Sequence, residues 1–187
     1  MKIRPGLEIA SLTDVGCQRE SNEDSYGYWE PEDDAAFKRL GRLAVVADGM
    51  GGHEGGQIAS KIAVETIQQA YFSSAEADPQ QRLLNAFLDA HRRIRRAALE
   101  NPELRGMGTT CTSLALLGTH LYFAHLGDSH LYLLHGGELR LLTRDHSLVA
   151  KLLESGMIRP DEVENHPQKH VLTAALGVAD EIEPDFP

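Results

Sequence analysis

Three segments place acids where chemistry could use them: Glu23 and Asp24 in TDVGCQRESNED, Asp48 in LAVVADGMGGHEGG, and Asp128 in AHLGDSH. Carboxylates at strand ends beside bare backbone carbonyls are how a protein offers oxygen ligands to a hard cation. Asp48 is the clearest case. The apolar run from Leu43 to Ala47 has the pattern of a buried strand and delivers Asp48 to its C-terminal end. Gly49, Gly51, Gly52, Gly55 and Gly56 follow, and without Cβ atoms they let the backbone turn sharply and approach a ligand closely. Asp128 again ends an apolar run, in Gly-Asp. Each acid alone is equally at home as a turn residue whose carboxylate bonds local backbone.

If the acids share one site, carboxylates plus the Gly49 carbonyl favour Mg²⁺ or Mn²⁺. Two such ions roughly 3.5–4 Å apart stabilise an in-line displacement at phosphorus. Arg19 would then offer a planar fork to two phosphate oxygens, its alternative being a salt bridge to Glu23 or Asp24. The glycine turn has rival readings. One is a strand-to-helix turn with no chemistry. The other is a dinucleotide fingerprint, which fails because Glu54 replaces the third glycine of G-x-G-x-x-G, and because Asp48 and Glu54 would repel a pyrophosphate.

These residues need a scaffold of strands and helices. Residues 7–12 read as a first strand, 26–29 as a short aromatic strand, 30–39 as a charged loop and 42–47 as the strand feeding the glycine turn. Helical spacing covers residues 57–71. A second helix starts with Asp78 as N-cap, Pro79 in the first turn and Gln81 as capping-box partner; Arg92, Arg93, Arg95 and Arg96 cluster in its C-terminal half. Residues 109–117, 120–125, 130–135 and 138–143 read as strands, the last two joined by a tight turn at Gly136-Gly137. A short helix follows over 147–155. Strands segregated from helices predict an α+β fold.

Lys and Arg number 18 against 28 Asp and Glu, a net charge of −10, in 187 residues with 42% hydrophobic content. That balance suits one soluble domain and argues against nucleic acid or an anionic membrane as a partner. Two cysteines, Cys17 and Cys111, make no disulfide framework and point to the cytoplasm. The N-terminus lacks the apolar stretch of a signal peptide.

Taken together, TDVGCQRESNED, VVADGMGGHEGG, MGTTCTSLAL, AHLGDSHLYLL, LTRDHS and HPQKHVLTAALG resemble, in order, the metal-dependent PPM (protein phosphatase 2C-type) serine/threonine protein phosphatases in their bacterial form. The resemblance spans residues 13–177. It implies an α-β-β-α sandwich and hydrolysis of phosphoserine and phosphothreonine by a metal-activated water. By motif, Asp48 and Gly49 would ligate Mg²⁺ or Mn²⁺, Glu23 and Asp24 would hold metal-bound waters, Asp128 would serve a third, weaker metal, and Arg19 would bind the substrate phosphate. Phosphorylated proteins, the products of a serine/threonine kinase, are the implied partners.

The chain departs from the family pattern at four places. Met50 follows Asp-Gly where animal members often carry a histidine, His130 follows Gly-Asp-Ser where arginine is common, and Ala174 stands at a basic position. The family's later acid-bearing strands lie beyond the position of Pro187. Residues 1–187 are therefore expected to form a single C-terminally truncated domain that binds Mn²⁺ weakly and turns over little. A phosphoprotein-binding module without catalysis is the alternative, and an unrelated carboxylate cation-binding protein a third.

Overall fold

A computed structural model describes residues 3–17, 21–51 and 54–186. The elements in order are β1 (Asp24–Trp29), α1 (Asp34–Leu40), β2 (Arg42–Met50), α2 (Gly55–Ser73), α3 (Pro79–Glu100), a 3₁₀ turn (Pro102–Leu104), β3 (Gly108–Thr109), β4 (Cys111–Leu117), β5 (His120–Leu126), β6 (Tyr132–His135), β7 (Glu138–Leu141), α4 (Leu148–Glu154) and α5 (Pro160–Val163). One antiparallel sheet runs β1-β2-β4-β5, with β3 paired to β2; β6 and β7 form a separate hairpin.

Strand β2 is central, and its alternation decides the layers. Leu43, Val45 and Ala47 face the helices, where Ala59, Ala63 and Ile67 of α2 and Phe87 of α3 are fully buried with them. Arg82 is buried too. Its guanidinium donates to the Glu76 carbonyl at 2.7 Å and to Tyr71 Oη at 3.3 Å, which ties the α2–α3 connection to the core. Tyr71 in turn donates to the Leu40 carbonyl at 2.9 Å.

The opposite face borders a groove of about 650 Å³, lined by Tyr26, Tyr28, Ala44, Val46 and Leu114 together with residues 7–13. Residues 7–12 line this groove but pair with no strand among the described residues, so the predicted first strand is not formed. At the groove's rim, Arg42 Nε donates to Glu30 Oε2 at 3.0 Å and Tyr28 donates to the same oxygen at 2.7 Å. Burial alone would raise the Glu30 pKa, but bonds from Tyr28, the Arg4 N–H and Arg42 outweigh it and hold the carboxyl below its usual range. Burial and Glu30 push the Tyr28 phenol up to about 12.

Three local expectations need correction. The charged loop at 30–39 contains helix α1, because Asp33 caps it by accepting from the Ala36 N–H at 2.7 Å. The capping box at α3 does not close: Asp78 accepts from the Gln80 N–H at 3.0 Å, while Gln81 donates along the helix to Asn85 at 3.1 Å. The strand predicted over 109–117 is broken at Thr110 into β3 and β4. Gly136 and Gly137 do make the β6–β7 turn, with φ of 60° and 84°, a left-handed pair that glycine adopts without strain. Among the described residues no helix is long and apolar enough to cross a membrane.

Candidate metal centre

The β1–β2 register sets Asp24 opposite Asp48, so both carboxylates leave the same, groove-side face of the sheet. Both are exposed, at the end of the row formed by Ala44 and Val46. Glu23, one residue earlier, turns to the helical side. Its carbonyl accepts from the Gly49 N–H at 3.1 Å and from Ser60 Oγ at 2.6 Å.

The glycines decide what can gather there. A Cβ on Gly49 would lie 2.0 Å from the Gly56 carbonyl oxygen and 2.7 Å from that of Glu23. One on Gly56 would lie 2.6 Å from Glu23 Oε1. The start of α2, the end of β2 and the Glu23 carboxylate therefore converge only because two side chains are missing. The donors they bring are all oxygen, the chemistry that suits Mg²⁺ or Mn²⁺ over softer ions. The residues present fit such a cation.

Asp128 is on the turn after β5. Gly127, at φ 118°, lets that turn lie against Thr110, where a Cβ would come within 2.5 Å of the threonine side chain. The Gly127 N–H donates to His146 Nδ1 at 3.1 Å and its carbonyl accepts from the His146 N–H at 2.7 Å. His146 Nε2 lies 3.2 Å from Asp185 Oδ2. Beneath it His125 is fully buried, with Nδ1 2.8 Å from Thr112 Oγ1 and Nε2 3.0 Å from the Gly127 carbonyl. Burial, reinforced by the neighbouring His146, depresses the His125 pKa.

The expected site is thus only partly gathered. Asp24 and Asp48 are paired, and Glu23, Gly49 and Gly56 meet beside them. Among the described residues, however, no group of three or more His, Cys, Asp or Glu side chains is placed to hold one ion. Asp14, from the same segment as Glu23, accepts from the Gly16 N–H at 2.7 Å and serves a local turn. Arg19 lies outside the described residues. Sequence reading included Gly56 among the glycines of close approach but missed the hydroxyls of Ser60, Thr109, Thr110 and Ser129. The threonine pair in MGTTC was the available signal, although β-branched residues are also what a strand prefers.

Residues 18–159 match the family model described as protein phosphatase 2C. The chain belongs to that family. It is 38% identical over 183 residues to protein phosphatase PhpP of Streptococcus pneumoniae, a match covering 96% of this chain and 72% of that protein. The structure of the S. agalactiae serine/threonine phosphatase is similar with a TM-score of 0.83 at 34% identity, over 94% of this chain and 71% of that one. The catalytic domain of PstP, solved in complex with two manganese ions, gives a TM-score of 0.77 at 32% identity, over 95% and 70%. The α+β architecture is that of protein phosphatase 2C-like structures. The function is that of a metal-dependent protein serine/threonine phosphatase acting on phosphoproteins, in a family that uses Mg²⁺ or Mn²⁺.

Against that family background the departures have local explanations. Met50 pairs with Gly108 at the β2–β3 junction. His130 Nε2 lies 2.9 Å from Asp145 Oδ1, and Ala174 packs against the core.

Proposed function

We propose that Asp48 and the Gly49 carbonyl ligate Mg²⁺ or Mn²⁺, that Glu23 and Asp24 accept hydrogen bonds from waters of the ion's shell, and that Asp128 serves a further, weaker cation. Arg19 takes the substrate phosphate in this reading. The observation that carries it is the cross-strand Asp24–Asp48 pair, set at the end of the sheet where Glu23 and Gly49 are held against Gly56. A bound ion supplies positive charge to the phosphate oxygens and lowers the pKa of water. The chain's part is to orient: Asp48 is fixed by both its backbone groups, and Glu23 by its carbonyl. Met50 has no proton to give the departing serine or threonine oxygen, so that proton comes from another group or from solvent.

Residues 1–187 form a single domain in this reading, one whose described carboxylates fall short of a full two-ion set, and Mn²⁺ binding and turnover by these residues are accordingly weak. The substrates are phosphoproteins made by a serine/threonine kinase, in the cytoplasm; the net charge of −10 and two free thiols support that setting. The test is Mn²⁺-dependent phosphate release from a phosphothreonine peptide, with Asp48→Asn as control. Slow release that the mutation abolishes is expected. Two tight Mn²⁺ sites by calorimetry would overturn the weak-binding reading.

A further inference from the structure

One buried hydroxyl network joins the two acid-bearing turns. Thr110 interrupts the strand between β3 and β4, and it grips the Asp48 peptide unit on both sides. The Asp48 N–H donates to Thr110 Oγ1 at 3.1 Å, and the Thr110 N–H donates to the Asp48 carbonyl at 2.9 Å. Thr109 Oγ1 donates to the same carbonyl at 2.9 Å. Thr110 Oγ1 then lies 2.8 Å from Ser129 Oγ, the residue next to Asp128.

Strand preference does not account for this hydroxyl. Thr110 is only 3% exposed, and valine would fill the same space with the same branching. Burying a hydroxyl is unfavourable unless it is bonded, and this one is bonded to two partners, Asp48 on strand β2 and Ser129 on the segment after β5. Gly127 adds the second half of the device. Its bare Cα lets the Asp128 turn close onto the Thr110 side chain, which a Cβ would block.

We propose that Thr110 and Ser129 form a coupled positioning pair, their hydroxyls setting the placement of Asp128 relative to Asp48 so that the two acids address the cations together. Neither residue touches the ion or the substrate; each acts through an acid's backbone. The pair rests on the metal reading given above. Its hydrogen-bond linkage is independent of that reading, so the two can fail separately.

The experiment compares the wild-type chain with Thr110→Val, Thr110→Ser, Ser129→Ala and the Thr110→Val/Ser129→Ala double variant. Two quantities are read: hydrogen exchange at the Asp48 amide without metal, and Mn²⁺ affinity by calorimetry. Thr110→Val should speed Asp48 exchange by about fivefold or more, since one net hydrogen bond is worth roughly that factor. It should weaken Mn²⁺ binding by about tenfold, the low end for residues that orient ligands. Thr110→Ser should restore both to within about twofold, because it keeps the donor and acceptor. Ser129→Ala should act in the same direction but less, and the double variant should equal Thr110→Val alone, the non-additivity expected of residues in one network.

Additive effects, or Mn²⁺ affinity unchanged in a folded Thr110→Val protein, would overturn the proposal. If Thr110→Val does not fold, Ser129→Ala decides, because Ser129 is half-buried and its loss must still loosen the Asp48 amide. If the wild type itself binds no Mn²⁺, the metal reading fails, and with it the cation role of the pair; the exchange cycle then shows whether the hydroxyl linkage exists.

Discussion

On β2, Leu43, Val45 and Ala47 enter the helical layer and are shut off from water, whereas Val46, between two of them, is 51% exposed on the groove side. The same alternation runs along β1, where Tyr26 is 44% exposed beside Val46 in the β1–β2 register. Asp24 and Asp48 are the next cross-strand pair in that groove-side row. One face thus carries packing and the other presents Asp24 and Asp48, from neighbouring residues of the same strands. The Asp24–Asp48 pair continues a sheet face, held in register by backbone bonds, with rigidity supplied by the buried face behind it.

Substitutions on the two faces should have opposite consequences for stability and activity. On the buried face, Phe87→Ala should cost about 3–5 kcal/mol of stability by leaving a cavity under the sheet, measured by chemical denaturation. On the open face, Asp48→Asn should leave the denaturation midpoint unchanged while reducing any Mn²⁺-dependent phosphate release by about 100-fold, or ~2.7 kcal/mol. A large loss of stability in that variant would erase the division between the faces. Gly56→Ala lies between the two. Its Cβ would press on Glu23 and on the Gly49 backbone, so a cost of about 1–3 kcal/mol together with weaker Mn²⁺ binding is expected.

A smaller effect tests the buried end of β5. Burial and His146 hold the folded pKa of His125 below its ordinary 6.5. The unfolded chain therefore binds the proton first as pH falls, so the His125 contribution is fully present above about pH 6.5 and is lost as pH drops toward the folded value. Arg144, Asp185 and His146 surround this ring. Thermal unfolding across pH 5–8 should show a decline below about 6.5 that His125→Gln reduces, the remainder coming from His91, whose pKa burial also lowers. Glu30 adds a second decline at lower pH: its folded pKa lies below the ordinary 4.5, so its contribution holds above about 4.5 and fades as pH falls through the folded value. Smallest of all, Val46→Ser should change stability by about 0.5 kcal/mol or less, as for an exposed position. A cost of several times that would show the groove face to be covered in solution.

Some of this was legible in the residues. The strand 42–47, the helix at 57–71, the start of the second helix at Asp78-Pro79 and the Gly136-Gly137 turn each rest on a local cause, whether apolar period, cap or positive φ, and local causes are written in adjacent residues. Helix α1 was missed because its short sequence reads as a charged loop, and only the Asp33 cap and the packing of Leu40 and Ala36 at the core edge make it helical. Residues 7–12 have a strand's alternation, yet strand structure needs a partner, and none pairs with them among the described residues.

Residue types alone say which atoms are offered: oxygen donors at Glu23, Asp24, Asp48, Gly49 and Asp128, a glycine-rich turn after β2, and motifs specific enough to indicate the family. Ligand chemistry is a property of residue type. Which of those atoms meet is a matter of folding. It made Asp24 and Asp48 cross-strand partners, brought Gly56 against Glu23 across 33 positions of the chain, and linked Asp128 to Asp48 through Thr110 and Ser129. Those meetings depend on sheet register, on the seating of α2 against β2, and on the absence of two Cβ atoms where three loops crowd together, none of which a spacing along the chain can specify.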